Sequence, residues 1–146
     1  MNLPFKLLAA VGIASLAFAV TPAFADPIKY TAVLTAADET PPTDSKGTGT
    51  VDATYDPDTK TLTWTIEYKD LTGPVTAAHF HGPAAVGAKA APVVPIKAPY
   101  DSPIKGSATL TDQQYADLSK QLWYFNLHTA KYPDGEVRGQ VLPAHP

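Results

Sequence analysis

Cysteine is absent from this chain, and methionine occurs only once, at position 1. Without cysteine there is no disulfide to hold the fold together and no thiolate to act as a nucleophile or metal ligand. Stability must therefore come from a packed core, and any metal site must rely on His, Asp, Glu or weaker donors. The sequence also lacks the G-x-S-x-G and H-E-x-x-H patterns, so it gives little support for hydrolytic chemistry.

Positive charge is scarce as well, since 11 Lys and Arg stand against 14 Asp and Glu. The first 25 residues hold one lysine and no acid, which leaves a net charge of 10 − 14 = −4 for the rest. Nucleic-acid binding needs a basic patch, so the composition predicts no nucleic-acid partner. The sequence carries no signal for a protein partner or for an oligomeric state.

The N-terminal segment has the pattern of an export signal. One lysine precedes an apolar run at 7–20, and the tripeptide AFA at 23–25 fits a signal peptidase site. We therefore predict a secretory signal peptide at 1–25, one domain at 26–146, and a periplasmic or secreted location. The apolar run is shorter than the ~20 residues of a bilayer span, so we expect no stable membrane insertion after cleavage. An uncleaved membrane anchor is the alternative.

Short alternating segments separated by turn residues fill the rest of the chain. The clearest is TLTWTIEYKDL at 61–71, which places Leu62, Trp64, Ile66 and Tyr68 on one face. Such segments recur about every 12 residues, which is typical of an antiparallel sandwich or barrel. We predict an all-β fold, an antiparallel Greek-key-like β-sandwich or barrel.

Two segments depart from this alternation. Thr111, followed three residues later by Gln114, forms a capping box and predicts one short helix near 112–121 that covers one end of the sheet. The segment 82–103 contains five prolines, which supply no ladder donor. We predict a long loop there, with at best an edge strand near 93–96.

Two of the four histidines lie one residue apart, in AHFHGPA at 78–84. In a strand, His79 and His81 project from one face with Cα atoms roughly 6–7 Å apart. That spacing lets two imidazoles reach one ion at ~2.0 Å. His128 is the candidate third ligand, provided that segment 123–130 pairs beside the first strand. Ordinary strand histidines and a hydrogen-bonded core histidine at position 128 explain the same pattern, so both interpretations stay open.

Three motifs, in this order, resemble the signature of the CHRD domain: HFHGPA at 79–84, NLHT at 126–129 and GEVRGQ at 135–140. That family is named after the repeats of chordin and also occurs as single-domain exported bacterial proteins. The segment LTAADETPPTDSKGTGT at 34–50 is similar to the family's N-terminal stretch. One departure is KQLWYFNLHT at 120–129, where family members often have a glycine just before the aromatic residue.

The resemblance covers nearly all of 26–146 and implies an immunoglobulin-like or superoxide-dismutase-like sandwich without a settled activity. It also implies that His79, His81 and His128 form a metal site. Three neutral imidazoles without a thiolate suit copper or zinc. Copper is our first choice, because an exported protein meets copper outside the cytoplasm and Cu(II) binds nitrogen-rich sites most tightly; zinc is the runner-up.

Three polar residues are candidates for orienting these ligands. Tyr124 and Asn126 share the predicted face of His128, where either side chain could orient a ring or gate solvent. For Tyr124, plain packing is the interpretation that we prefer. Glu39 could reach the site from the polar loop at 38–47, although nothing in its spacing requires this.

Arg138 is a fourth candidate with two interpretations. Its guanidinium could steer an anion towards the metal site. More simply, it could pair with another acid across the hairpin or with Glu136, because residues i and i+2 of a strand share a face. We prefer the ion pair.

Three functions therefore remain open. The first is binding of one copper ion for buffering, storage or delivery. The second is superoxide dismutation, because an H-x-H copper pair on a β-sandwich is similar to copper–zinc superoxide dismutases, although this chain has no cysteine pair and no set of zinc ligands. The third is a metal-free extracellular scaffold or adhesion module, as in chordin. No catalytic residue is assigned.

Overall fold

The computed structural model describes residues 23–145, so the predicted signal peptide at 1–25 lies almost wholly outside the described residues. Within the described range, no helix is both long enough and apolar enough to cross a membrane. The elements, in chain order, are β1 (Ile28–Thr35), β2 (Thr48–Asp56), β3 (Thr61–Lys69), β4 (Val75–His81), β5 (Pro92–Pro95), β6 (Ile104–Thr109), α1 (Asp112–Ser119), β7 (Tyr124–Thr129), β8 (Val137–Gln140) and β9 (Leu142–Pro143).

All the strands belong to one antiparallel sheet with the order β5-β4-β7-β8-β1-β2-β3-β6, and β9 pairs with β1. The sheet curls until it is nearly closed, which confirms the predicted all-β sandwich or barrel. β7 and β8 form an antiparallel hairpin in which Tyr124–Leu127 of β7 are paired. β7 also pairs with β4, which makes His79 and Asn126 direct neighbours although they are 126 − 79 = 47 residues apart in sequence.

The core fills the inside of this curled sheet. Leu62, Trp64 and Ile66 of β3 are buried, as the alternation predicts. Phe80 is fully buried as well, and its ring lies 4.8 Å from that of Phe125, centroid to centroid. Because successive side chains of a strand point to opposite faces, burying Phe80 turns its two histidine neighbours towards the outer face of the sheet.

The predicted helix is confirmed, although it ends two residues early. Thr111 accepts a hydrogen bond from the Gln114 backbone N–H at 3.1 Å, and the Gln114 side chain accepts one from the Thr111 N–H at 2.9 Å. Leu118 is fully buried under the helix. Gln121 has a left-handed backbone (φ 63°), which takes the chain out of the helical path before the predicted end at 121.

The proline-rich segment 82–103 is a loop that carries only the short edge strand β5, as predicted. Strand β6 was not predicted. Its sequence, IKGSAT, buries only Ile104 and shows little apolar alternation. Gly106 is nevertheless required there, because a Cβ at this position would lie 2.8 Å from the Trp64 ring.

A buried carboxylate fastens two loops to strand β7. Glu136 is fully buried, and its side chain accepts hydrogen bonds from the hydroxyls of Ser45, Thr72 and Thr129 and from the Thr72 backbone N–H. Burial raises the pKa of Glu136, but the hydrogen bonds from Ser45, Thr129 and Thr72 outweigh it and hold the pKa below its ordinary value. We call these four residues the Glu136 cluster.

Replacing Glu136 by glutamine tests this cluster. Hydrogen bonds to a charged acceptor contribute more than neutral ones, so we expect Glu136→Gln to lower the free energy of unfolding by roughly 2–3 kcal/mol at pH 7. A carboxyl with a lowered folded-state pKa stabilises above its unfolded pKa, and this contribution is lost as the pH falls through the folded pKa. The difference between wild type and variant should therefore shrink below about pH 4.5. Urea unfolding at pH 7 and pH 3 measures both effects.

Glu67→Gln is the matched control, because Glu67 is exposed on β3. It should change the stability by less than about 0.5 kcal/mol at either pH. An unchanged gap between Glu136→Gln and wild type at pH 3 would contradict the linkage.

Candidate metal centre

The site is built on the outer face of β4 and β7. The facing residue pairs are His79 with Asn126, His81 with Tyr124, and Ala77 with His128. The strand pairing that a three-histidine site requires is thus present. Arg138 of β8 stands opposite Asn126 and extends the same row of side chains across the next strand.

The three predicted histidines lie together. Nδ1 of His79 is 3.2 Å from Nε2 of His128, and one ring nitrogen of each histidine lies within 4.8 Å of the others. His81 is buried, whereas His79 and His128 are partly exposed. This group could hold a metal ion, and it has a solvent-facing side through which an ion can enter. The fourth histidine, His145, is exposed in the tail, as predicted.

The donor set fits a transition metal. Two nitrogens 3.2 Å apart, each bonded to one ion at 2.0–2.1 Å, subtend an angle of roughly 100° at the ion, close to tetrahedral. Three imidazoles without thiolate suit copper, zinc and similar borderline ions.

Backbone carbonyls orient two of the rings. Nδ1 of His128 lies 2.8 Å from the Pro133 carbonyl oxygen, and Nδ1 of His81 lies 2.9 Å from that of Ala90. Metal-binding histidines commonly donate one ring N–H to such an acceptor, which leaves the other nitrogen for the ion. These two contacts could not be predicted from the sequence, because every residue has a carbonyl and only the folded loops bring Ala90 and Pro133 to the rings.

Burial keeps two of the rings in the form that binds metal. It lowers the pKa of His79, and the neighbouring His128 and His81 lower it further. Burial also lowers the pKa of His81, although the contacts with Ala90 and Asn126 oppose the shift. Both rings are therefore mainly neutral at pH 7 and retain a lone pair for an ion.

Asn126 and Glu39 form a buried pair beside His81. Asn126 Oδ1 lies 2.9 Å from His81 Nε2, and its Nδ2 donates to Glu39 Oε1 at 3.4 Å. Burial raises the pKa of Glu39, while hydrogen bonds from Thr40 and Asn126 and the charge of Arg138 oppose the shift. Glu39 thus reaches the histidine site from its loop, through Asn126.

Tyr124 and Arg138 are stacked behind His81. The Tyr124 ring is parallel to the His81 ring, with centroids 4.7 Å apart, and Arg138 Cζ lies 3.4 Å from the Tyr124 ring centroid. The Tyr124 hydroxyl donates to the Ala90 carbonyl. Tyr124 is therefore packed against a histidine and tied to the loop that orients this histidine.

The predicted ion pair between Arg138 and Glu136 is wrong. Glu136 precedes β8 and turns its carboxylate into the Glu136 cluster, so the two side chains do not share a strand face. Arg138 instead donates to the Ala88 carbonyl at 2.7 Å. Its side chain is buried under Tyr124 and Thr40, and the guanidinium is not an exposed group that could steer anions from solution.

Gly135 leaves room for the buried pair, and the sequence analysis did not single it out. Its φ is +126°, a conformation that side chains rarely adopt. A Cβ there would overlap Glu39 Oε1 and lie 2.7 Å from Asn126 Nδ2. The glycine after an aspartate in the β7–β8 turn was the available signal, but it equally marks an ordinary turn.

Substituting alanine at Gly135 tests this requirement. Because the backbone is strained for any side chain and the new Cβ displaces the Glu39–Asn126 contact, we expect a loss of about 1–3 kcal/mol in the free energy of unfolding. Gly73→Ala is the control, since a Cβ there meets nothing within 4 Å. Equal urea midpoints for the two variants would show that Gly135 is not needed.

The comparisons with known proteins agree with the three motifs. A family model described as the CHRD domain matches residues 30–141. No curated protein and no solved structure matches the chain. The matched range begins within β1, runs through β8 and contains all three clustered histidines. The chain belongs to the CHRD domain family.

Proposed function

We propose that this protein is exported and holds one copper ion through His79, His81 and His128, for buffering or delivery. The observation that carries the proposal is the convergence of three imidazole nitrogens within 4.8 Å of one another on the outer face of the sheet. Isolated strand histidines need no such convergence. The N-terminal pattern supports export, because the run at 7–20 and AFA at 23–25 fit a cleavable signal.

Copper is preferred to zinc on chemical grounds. Nitrogen-rich sites bind Cu(II) most tightly among the first-row divalent ions. An exported protein also meets copper without competition from cytoplasmic thiols. Superoxide dismutation and a metal-free scaffold role are the two alternatives to this proposal.

Binding rather than chemistry is favoured by the surroundings of the rings. His81, Asn126 and Tyr124 are buried, and hydrogen bonds or stacking occupy each of them. His79 and His128 are partly exposed, so an ion can be loaded and removed from their side of the site. Such an arrangement suits reversible binding of an ion.

Metal titration of the chain without residues 1–25 tests the proposal. Wild type should bind one Cu(II) per chain, and one Zn(II) more weakly. His79→Ala and His128→Ala should each weaken binding by at least about 100-fold, because losing a direct ligand exceeds the 10–100-fold effect of losing an outer contact. His145→Ala is the matched control and should bind as wild type does. Equally weak binding by wild type and the two site variants would overturn the proposal.

Export is tested separately in cells. The full chain, expressed in a Gram-negative host, should appear in the periplasmic fraction with Asp26 as its first residue. Retention of the intact chain in the membrane fraction would instead establish an uncleaved anchor.

A further inference from the structure

We propose that the side-chain oxygen of Asn126 is the fourth ligand of the ion and that Glu39 holds it in position. This inference rests on the proposed metal site and adds an oxygen donor to its three nitrogens. The donor set becomes N3O, contributed by β4 and β7 alone.

The four candidate ligand atoms lie in two close pairs. Asn126 Oδ1 lies 2.9 Å from His81 Nε2, and His79 Nδ1 lies 3.2 Å from His128 Nε2. In a four-coordinate site with bonds of 2.0–2.1 Å, neighbouring ligand atoms are roughly 2.9–3.4 Å apart. The four atoms therefore already form two of the ligand–ligand edges of such a site.

Both ring nitrogens of His81 face the lone pairs of an oxygen atom. The His81 ring has an oxygen on each side, the Ala90 carbonyl at Nδ1 and the Asn126 amide at Nε2. When Nδ1 carries the proton, the lone pair of Nε2 faces the lone pairs of the Asn126 oxygen. In this tautomer, a cation placed between the two atoms accepts electron density from both and makes the contact favourable.

Glu39 orients the side-chain amide of Asn126. The Asn126 amide group donates through Nδ2 to Glu39 Oε1, and this contact turns its oxygen towards the histidines. Glu39 is itself held by the Thr40 backbone N–H. Gly135 supplies the space in which the carboxylate and the amide meet. Glu39 is thus a positioning residue that does not touch the ion.

A closed N3O site has a chemical consequence. The amide oxygen is a harder donor than imidazole, so it favours divalent ions over Cu(I). Metal sites that only bind an ion commonly fill all four positions with protein ligands, whereas catalytic sites keep one position open. The fourth ligand therefore specialises this site for holding a divalent ion.

Zn(II) affinity is the first measurement, taken by competition with a chromophoric chelator. We expect Asn126→Ala to bind Zn(II) about 10–100-fold more weakly than wild type. Asn126→Asp, which keeps an oxygen at this position, should retain most of the affinity. The matched control is Gln140→Ala, on the neighbouring strand β8. The Gln140 amide donates to the backbone oxygens of Ala84 and Gln121 and not to the histidine site. It should bind Zn(II) as wild type does.

Access of an added ligand is the second measurement. Co(II) reports its coordination through visible absorption, and azide binds wherever a position is open. The Co(II) form of wild type should bind azide at least about tenfold more weakly than that of Asn126→Ala, because the protein fills the fourth position. The wild-type measurement stands even if Asn126→Ala fails to fold, since ready azide binding by wild type alone overturns the proposal.

The outcomes separate the two levels of the inference. If wild type binds no ion, the proposed function fails. If wild type binds Zn(II) and Asn126→Ala binds it equally or more tightly, the three-histidine site stands and Asn126 is not a ligand. If Asn126→Ala loses affinity but the two Co(II) forms bind azide alike, Asn126 only orients His81 and the fourth-ligand proposal is overturned.

Discussion

The register between β4 and β7 is the constraint on which the rest of the site depends. Sliding one strand by a single residue would move every side chain to the opposite face. That slip is prevented by the core, because Phe80 and Phe125 face each other across the pair and are fully buried. The same register that packs these two rings inside places His79, His81 and His128 together outside. Hydrophobic packing on one face thus fixes polar geometry on the other.

Loops complete what the sheet begins. The strands bring the imidazoles close, but the loop carbonyls of Ala90 and Pro133 set the orientation of two rings. The loop after β4 is in turn held by Arg138, which donates to its Ala88 carbonyl. The Glu136 cluster ties the loops that contain Ser45 and Thr72 to β7. The site is therefore supported by hydrogen bonds to the loop backbone, an arrangement that orients metal ligands.

Arg138 and Glu39 are buried beside the histidines, and within residues 23–145 neither makes a direct ion pair. Arg138 is nearly inaccessible and lies over the Tyr124 ring rather than against a carboxylate. A cation over an aromatic face is stabilised by the ring's negative face. Glu39 is also buried, and the charge of Arg138 favours its ionised form from a distance. The positive and negative side chains therefore balance across the site, while both stay outside the cluster of imidazoles.

The sequence by itself determined the features that depend on neighbouring residues. Alternation assigned the buried face of β3, a capping box located the helix, and the i, i+2 spacing put His79 and His81 on one side of a strand. Only the tertiary structure decided that β7 lies beside β4, that Glu136 turns away from Arg138 and that Asn126 faces His81. The physical reason is range: backbone geometry fixes where adjacent side chains point, whereas contacts between residues far apart in sequence depend on how the whole core packs.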